Sequence, residues 1–454
     1  MNVMDLLNED CHLAIWQYLN IRDKMSWAAV NRRRLHFAKL AWKRIPCLEL
    51  CFGNGPCTTL NNFIINIDYI PLSSLANLFR YLSNTYIVHV NVSYYECYII
   101  QNHFSTLLEI VLQHFPKMHT LICNNINHNV NHGKLFSNHA LYLESISFNR
   151  MTPSFYANFS RFLLTFPLLT SLHCSNLYIQ GLGPISTKSP LCLPILPLSF
   201  QKLTVYGELS APLREFISSP LNLLELNISA IGPNFHDLSY NYDFILNFKN
   251  LTTLRIPFST LTDYELITIC SELKDLTRLD ISACFNLSEY GLKYLPRLTK
   301  LRYLSVAYLS FDNACFNTLH LDVLDVSFSN MLLVKPLDLF IQLPQLQYIM
   351  YEADYVSLRK YTVSNLMYLD SAILNFQKFL STVTNPVTLY IQTGFRLTLM
   401  RRYNIHEFPN LILCDSMNPD TPSFFSEAYY YYSTIDIPVS LYHPSSSSDS
   451  DSDE

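Results

Sequence analysis

Few residues in this chain are spaced for chemistry of their own. His128 and His132 stand in the tract NNINHNVNHGKLFSNH, with His139 beyond them. On a helix, His-x-x-x-His puts two imidazoles on one face, as a zinc site needs. The Asn and Gly content of the tract reads as a polar loop instead, and no Cys or carboxylate lies between the histidines to complete a ligand set. Cys47, Cys51 and Cys57 have uneven gaps and no second cluster, so they read as buried thiols. Arg32, Arg33 and Arg34, with Arg22, Lys24, Lys39, Lys43 and Arg44, have the composition of a nuclear signal or a phosphate-binding face, although solvated helix charges account for them better. Ser446, Ser448 and Ser450 each have an Asp three positions on. That pattern suits acidophilic kinases, and a passive solubilising tail accounts for it equally well. The chain has no G-x-S-x-G, P-loop, H-E-x-x-H or paired C-x-x-C. We therefore expect no catalytic residue, no metal site and no cofactor.

The totals narrow the remaining classes. Hydrophobic residues are 49 % of 454 and charged residues only 15 %, which permits a large core. The most apolar stretches, LPLSFQKL and RFLLTFPLLTSL, break at Pro, Lys, Thr or Ser well short of the roughly 18 residues a membrane span requires. The start, MNVMDLLNED, lacks the basic and then apolar pattern of a secretory signal, so the sequons at Asn91, Asn158 and Asn250 read as chance. Twelve scattered cysteines suit reduced thiols in the cytosol or nucleus. A net charge of -5 argues against a nucleic-acid binder that relies on overall positive charge. Nine glycines in the whole chain leave little material for phosphate-cradling loops.

One phrase recurs from about residue 118 onward: apolar, two variable, apolar, one variable, apolar. It reads MHTLIC, LESISF, LTSLHC, FQKLTV, LLELNI, LTTLRI, LTRLDI, LRYLSV, LDVLDV, LQYIMY and LMYLDS, weakens in PVTLYI, and returns in FPNLIL. The starts fall roughly 20 to 31 residues apart, the range of leucine-rich repeats. In LTRLDISACFNLSEYGLKYLPRLTK, Leu279 and Ile281 alternate with Arg278, Asp280 and Ser282, which makes a short strand with one buried face. Leu287 closes the core, SEYGLKYL supplies an outer helix, and Cys284 sits where the leucine-rich repeats that this unit resembles place an Asn or Cys, which implies that it turns inward to satisfy the backbone of the turn. Thr262 and Glu265 form a capping box one unit earlier. A single unit cannot bury its apolar face, whereas stacked neighbours can. The segment Leu276 to Leu292 resembles the cysteine-containing leucine-rich repeats almost position for position, and the other units keep the strand phrase while often lacking the Cys and Gly.

Ahead of the repeats, Leu6, Leu7, Glu9, Cys11, Ile15, Tyr18, Leu19, Asp23 and Val30 fall on the positions of the F-box motif, and NRRRLHFAKLAWKRIPCLEL, with Trp42, resembles the third helix and Trp that lead F-boxes into their first repeat strand. Over nearly its whole length the chain thus resembles an F-box/leucine-rich-repeat protein. The departure from the motif is Leu7, where the family has a Pro that preorganises the helix start; Asn8 or Asp5 is available as a cap. The spacing Leu7, Cys11, Ile15 also fits a BC-box, the helix with which another class of cullin receptor grips elongin C, but Tyr18, Leu19, Asp23 and Val30 are explained by the F-box alone.

The resemblance implies an α/β fold: an N-terminal helical F-box at 1–45, degenerate first repeats at 46–115 and leucine-rich repeats at 116–415. A C-terminal cap at 416–442 and a disordered acidic Ser/Asp tail at 443–454 follow. The repeats would form a curved solenoid with a parallel concave sheet. The resemblance further implies a substrate-recognition subunit of an SCF-type cullin–RING ubiquitin ligase. Its F-box would dock on a Skp-type adaptor, and through it a cullin, by way of Leu6, Leu7, Ile15, Leu19 and Val30. A non-catalytic repeat scaffold independent of ubiquitin is the alternative. Exposed strand positions that would line the concave face and hold a protein substrate are Arg255, Arg278, Asp280, Tyr303, Asp325, Tyr348, Glu352, Tyr368 and Asp370.

Overall fold

In the computed structural model, the described residues are 11–12, 15, 19, 23, 26–27, 30, 34, 36, 38, 47–52, 63–66, 72–82, 87, 89–94, 101–124, 135–136, 142–149, 166–175, 199–206, 222–229, 242–311, 313–316, 318–327, 329, 339, 342–343, 345–351, 387–391 and 411–415. The chain divides into two units, Met1–Asn286 and Leu287–Glu454, with the division inside the run of repeats.

The first unit is built on a parallel sheet. Its strands are β1 (Cys47–Phe52), β2 (Phe63–Asn66), β3 (His89–Tyr94), β4 (Thr120–Asn124), β5 (Ser145–Asn149), β6 (Ser171–Ser175), β7 (Lys202–Tyr206), β8 (Glu225–Ser229), β9 (Thr253–Arg255) and β10 (Arg278–Asp280). From β3 to β10 each strand pairs with the next in sequence, while β1 lies between β2 and β3. The register is carried by the leucine in the middle of each phrase. Leu121, Ile146, Leu172, Leu203, Leu226 and Leu254 form one aligned row, and all are buried. Period-2 alternation sends that row inward and its neighbours outward. Burying each such side chain contributes about 1.5–3 kcal/mol, a gain available only because another unit lies on each side.

Hydroxyls reinforce this stacking. Thr170, Thr252 and Thr277 occupy the same place in L-T-x-L, and the Oγ1 of each donates to a backbone carbonyl of an earlier repeat, at 3.0, 3.0 and 3.1 Å. Between strands the chain forms helices α1 (Leu72–Leu82), α2 (Gln101–His114) and α3 (Asp263–Glu272). In α1 and α2 the apolar residues recur at helical spacing, so Leu75, Phe79, Phe104, Leu108 and Leu112 are buried. The edge of Phe79 packs on Phe115 at 5.3 Å between ring centroids. β1 begins at CLEL, β3 overlaps YIVHVNV, and α1 lies within PLSSLANLFRYLSN.

In the second unit β11 (Tyr303–Ser305), β12 (Val323–Asp325), β13 (Tyr348–Tyr351), β14 (Val387–Ile391) and β15 (Leu411–Asp415) pair in sequence order, again in parallel. The weakened phrase PVTLYI and the returning phrase FPNLIL both supply strands. A single-turn helix, α4 (Glu289–Leu292), is capped by Ser288 Oγ, which accepts from the Tyr290 amide. Two 3-10 turns follow at Leu295–Arg297 and Asn313–Phe316. Leu304, Val306, Leu324, Val326 and Ile349 are buried. Both units have the architecture of leucine-rich repeats: parallel strands one per repeat, with helices or 3-10 turns between them. No helix among the described residues is long and apolar enough to cross a membrane.

Candidate functional site

Two surfaces answer to the residues singled out in the sequence. The first lies in the N-terminal segment, where Cys11, His12, Ile15, Asp23, Trp27, Arg34 and Ala38 are helical. The His12 and Trp27 rings are buried with their centroids 5.6 Å apart, and the Arg34 guanidinium lies 5.8 Å from the Trp27 ring centroid. A cation placed there is worth about 0.5–2 kcal/mol as desolvation increases. Arg34 is thus half-buried rather than a solvated helix charge. With His12 and Trp27 inside, Ile15 and Leu19 are half-exposed and Val30 is 58 % exposed. Leu6, Leu7 and Tyr18 lie outside the described residues. His12 and Trp27 were not anticipated; a buried His–Trp pair has no spacing signature in the sequence.

The second surface is the outward face of the strands. In the first unit, the leading outward positions align as Thr120, Ser145, Ser171, Lys202, Glu225 and Thr253, with Arg278 next to Thr253. The following row aligns Ile122, Ser147, His173, Thr204, Asn227 and Arg255, with Asp280 beside Arg255. Lys202 Nζ meets Glu225 Oε1 at 2.6 Å, and both side chains are exposed. Arg278 is exposed and Arg255 half-buried. These small hydroxyl and amide side chains went unnoticed in the sequence, since Ser and Thr in the variable slots carry no signal until the register aligns them.

Several residues expected to be exposed are not. Asp280 is 1 % exposed, and Asp325 and Tyr303 are 0 % and 6 %. The reason is local. Asp280 Oδ1 accepts from the Ser282 amide at 3.1 Å and from Ser282 Oγ at 2.7 Å, while Oδ2 accepts from Arg255 Nε at 3.4 Å. Asp325 repeats the arrangement: Oδ1 accepts from the Ser327 amide at 3.0 Å and Oδ2 from Ser305 Oγ at 2.9 Å. These carboxylates form Asx turns that end the strands. Tyr348 is half-buried, and Glu352, Tyr368 and Asp370 lie outside the described residues.

Beneath the first unit's face, Cys284 Sγ donates to the Ile256 carbonyl at 3.2 Å and lies 3.1 Å from Ser259 Oγ. Burial pushes its thiol from 9.0 up to about 12, partly offset by the Ser259 hydrogen bonds. Burial likewise takes the nearby Tyr242 phenol from 10.0 to about 12, with the proximity of Cys284 adding to the rise. Both groups are therefore structural and neutral, in line with the inward turn read for Cys284. Cys51, Cys123, Cys270 and Cys315 are also buried thiols, whereas Cys11 is exposed. Among the described residues no His, Cys, Asp and Glu gather into a group able to hold a metal ion; His128, His132 and His139 lie outside them.

Compared with profiles of known protein families and with curated proteins, the sequence matches none. Among solved structures it is similar to one in the crystal structure of the Rad7 and Elc1 complex in yeast, at 16 % identity and TM-score 0.49, covering 76 % of this chain and 88 % of that one. It is also similar to one in the Toll–Spatzle complex of Drosophila, at 15 % identity and TM-score 0.36, covering 73 % of this chain and 42 % of that one. A leucine-rich-repeat protein of Leptospira interrogans matches at 12 % identity and TM-score 0.30, over 80 % of this chain and 96 % of that one.

Proposed function

We propose that the chain is a non-catalytic substrate-recognition subunit of an SCF-type ubiquitin ligase. Its N-terminal segment docks on a Skp-type adaptor, and through it a cullin, while the repeats hold the protein to be ubiquitinated. The observation that carries the reading is the N-terminal segment itself. His12 and Trp27 are buried side by side, yet Val30 is largely exposed and Ile15 and Leu19 are partly so. Apolar side chains left outside a packed segment are the material of a partner surface, and these three are positions the F-box motif assigns to the adaptor. The mechanism is proximity: docking at one end and client binding at the other raise the effective concentration of client near the conjugating enzyme. Such a subunit works in the cytosol or nucleus.

Co-purification from cells tests this. The full-length chain should recover the adaptor and cullin, and both should be lost when residues 1–45 are deleted or when Leu19→Asp is introduced. Equal recovery without residues 1–45 overturns the docking claim and leaves a ubiquitin-independent scaffold. Recovery of elongin C in place of the Skp-type adaptor assigns the segment to the BC-box class.

A further inference from the structure

We propose that residues 416–442, the segment read as a C-terminal cap, lie across the outward strand face of Leu287–Glu454 and occupy it. The proposal stands apart from the ligase reading and starts from a contrast in burial along one row of strand positions.

In Met1–Asn286 the row Ser147, His173, Thr204, Asn227 and Arg255 is half-buried throughout. The same place in the repeat aligns Ser305, Asp325 and Met350 in Leu287–Glu454, and each of these is 0 % exposed. The leading row of that unit is also covered: Tyr303 and Val323 are buried, next to half-buried Tyr348. Alternation points all of these away from the core, which Leu304, Leu324 and Ile349 fill from the same strands. Neighbours in a row shield the flanks of an outward side chain and leave its end open. Here the ends are closed too. The hydroxyl oxygen of Tyr303, the atom furthest from its strand, is buried, and Val323 beside it is too short to cover it. Hydrogen bonds from Ser305 and Ser327 make burial of the Asp325 carboxylate tolerable, but they do not keep water from Met350. The described residues of this unit are its strands and the turns and short helix that join them, so the cover comes from elsewhere in the unit.

Residues 416–442, which lie outside the described residues, fit that place best. Residues 352–386 and 392–410 each link one parallel strand to the next and must carry the chain back to the start of the following strand. Residues 416–442 follow β15, the edge strand of the sheet, and carry no such constraint. From β15 to β11 four strand spacings give about 19 Å, well within the reach of this segment at about 3.3 Å per residue. Its composition matches the face. It contains Phe424, Phe425 and the run Tyr429–Tyr432, and no Lys or Arg. Such rings bury large areas against Tyr303, Val323 and Met350, and tyrosine hydroxyls bring donors to a row that includes Asp325. A partner that uses this face must first displace the segment, so access to the face is gated by the chain itself.

The test uses the full-length chain. With p-azidophenylalanine in place of Tyr348, irradiation should join that position to a peptide from 416–442, read by mass spectrometry on the monomer band. Cross-links to 352–386 or 392–410 instead, or none within the chain, overturn the proposal. A second protein carries Phe424→Ser, Phe425→Ser and Ser in place of each of Tyr429–Tyr432. In dilute hydrogen peroxide its Met350 should form the sulfoxide about tenfold faster than in the wild type, or more. Met118, buried in Met1–Asn286, should keep its wild-type rate. Unchanged protection of Met350 overturns the proposal. Equal acceleration at Met118 also overturns it, since the replaced rings would then support the fold at large and not cover one face.

Discussion

At the scale of single residues, the repeats are held by polar atoms that look dispensable in the sequence. The phrase L-D-[IV]-S occurs as Leu279–Ser282 and Leu324–Ser327. In both, the carboxylate folds back on the amide two residues on. Alternation alone marks Asp280 and Asp325 as outward and therefore exposed; the short reach from Asp to the amide of residue i+2 decides otherwise. Cys284 was legible because the cysteine-containing repeats that its unit resembles have a defined place for it. Ser329 was not, yet its Oγ donates to the Val306 carbonyl at 3.2 Å, the bond that Cys284 makes to Ile256. A hydroxyl there does the work of the thiol. The buried Cys284 and Tyr242 also set an alkaline limit. Their neutral forms are favoured in the folded chain, so the unfolded chain ionises first. The stability they contribute is complete below pH 9 and is lost as pH rises towards about 12, by on the order of 1 kcal/mol per pH unit for each group. Urea midpoints measured from pH 8 upward should fall beyond pH 9, and Cys284→Ser, which does not titrate there, should flatten the fall.

At the scale of elements, the strands were readable because one short phrase recurs and each copy buries the same row. The helices were readable only where a cap or a helical apolar stripe marks them. Three successive turns, at Phe258, Ala283 and Tyr308, adopt left-handed backbone with φ of 57°, 53° and 63°, a conformation that costs a non-glycine residue about 1–2 kcal/mol. Nothing in those residue types announces the turn; at Phe258 and Tyr308 the amide donates to a carbonyl of the following repeat, Ser282 at 2.8 Å and Ser327 at 2.9 Å. The start of α3 is the opposite case, marked in advance by Thr262 and Glu265. Thr262 Oγ1 accepts from the Glu265 amide at 3.4 Å, and Glu265 Oε2 accepts from the Thr262 amide at 2.8 Å. The same carboxylate reaches the preceding repeat, where Oε1 accepts from the Tyr242 amide at 3.0 Å. Thr262→Ala removes one half of the box and should cost about 1 kcal/mol, read as a lower chemical-denaturation midpoint. Glu265→Ala should cost more, because Tyr242 also loses its acceptor.

At the scale of the whole molecule, two kinds of outward apolar or inward apolar position carry different consequences, and that difference separates function from stability. Leu254 belongs to the aligned inner row, with Leu226 and Leu279 on either side, and is fully buried. Leu254→Asp would place a carboxylate with no partner in that row, which costs several kcal/mol and damages the stack itself. Val30 belongs to no such row; most of its surface already meets water. Val30→Asp should therefore leave thermal unfolding and far-ultraviolet dichroism unchanged while adaptor recovery falls at least tenfold. Leu254→Asp should lower the unfolding temperature and solubility, with adaptor recovery per folded molecule preserved. A scaffold independent of ubiquitin gives the other result: Val30→Asp would be silent in every measurement. Loss of recovery in Val30→Asp accompanied by an equal loss of folded protein would return the N-terminal segment to the role of a simple cap on the repeats.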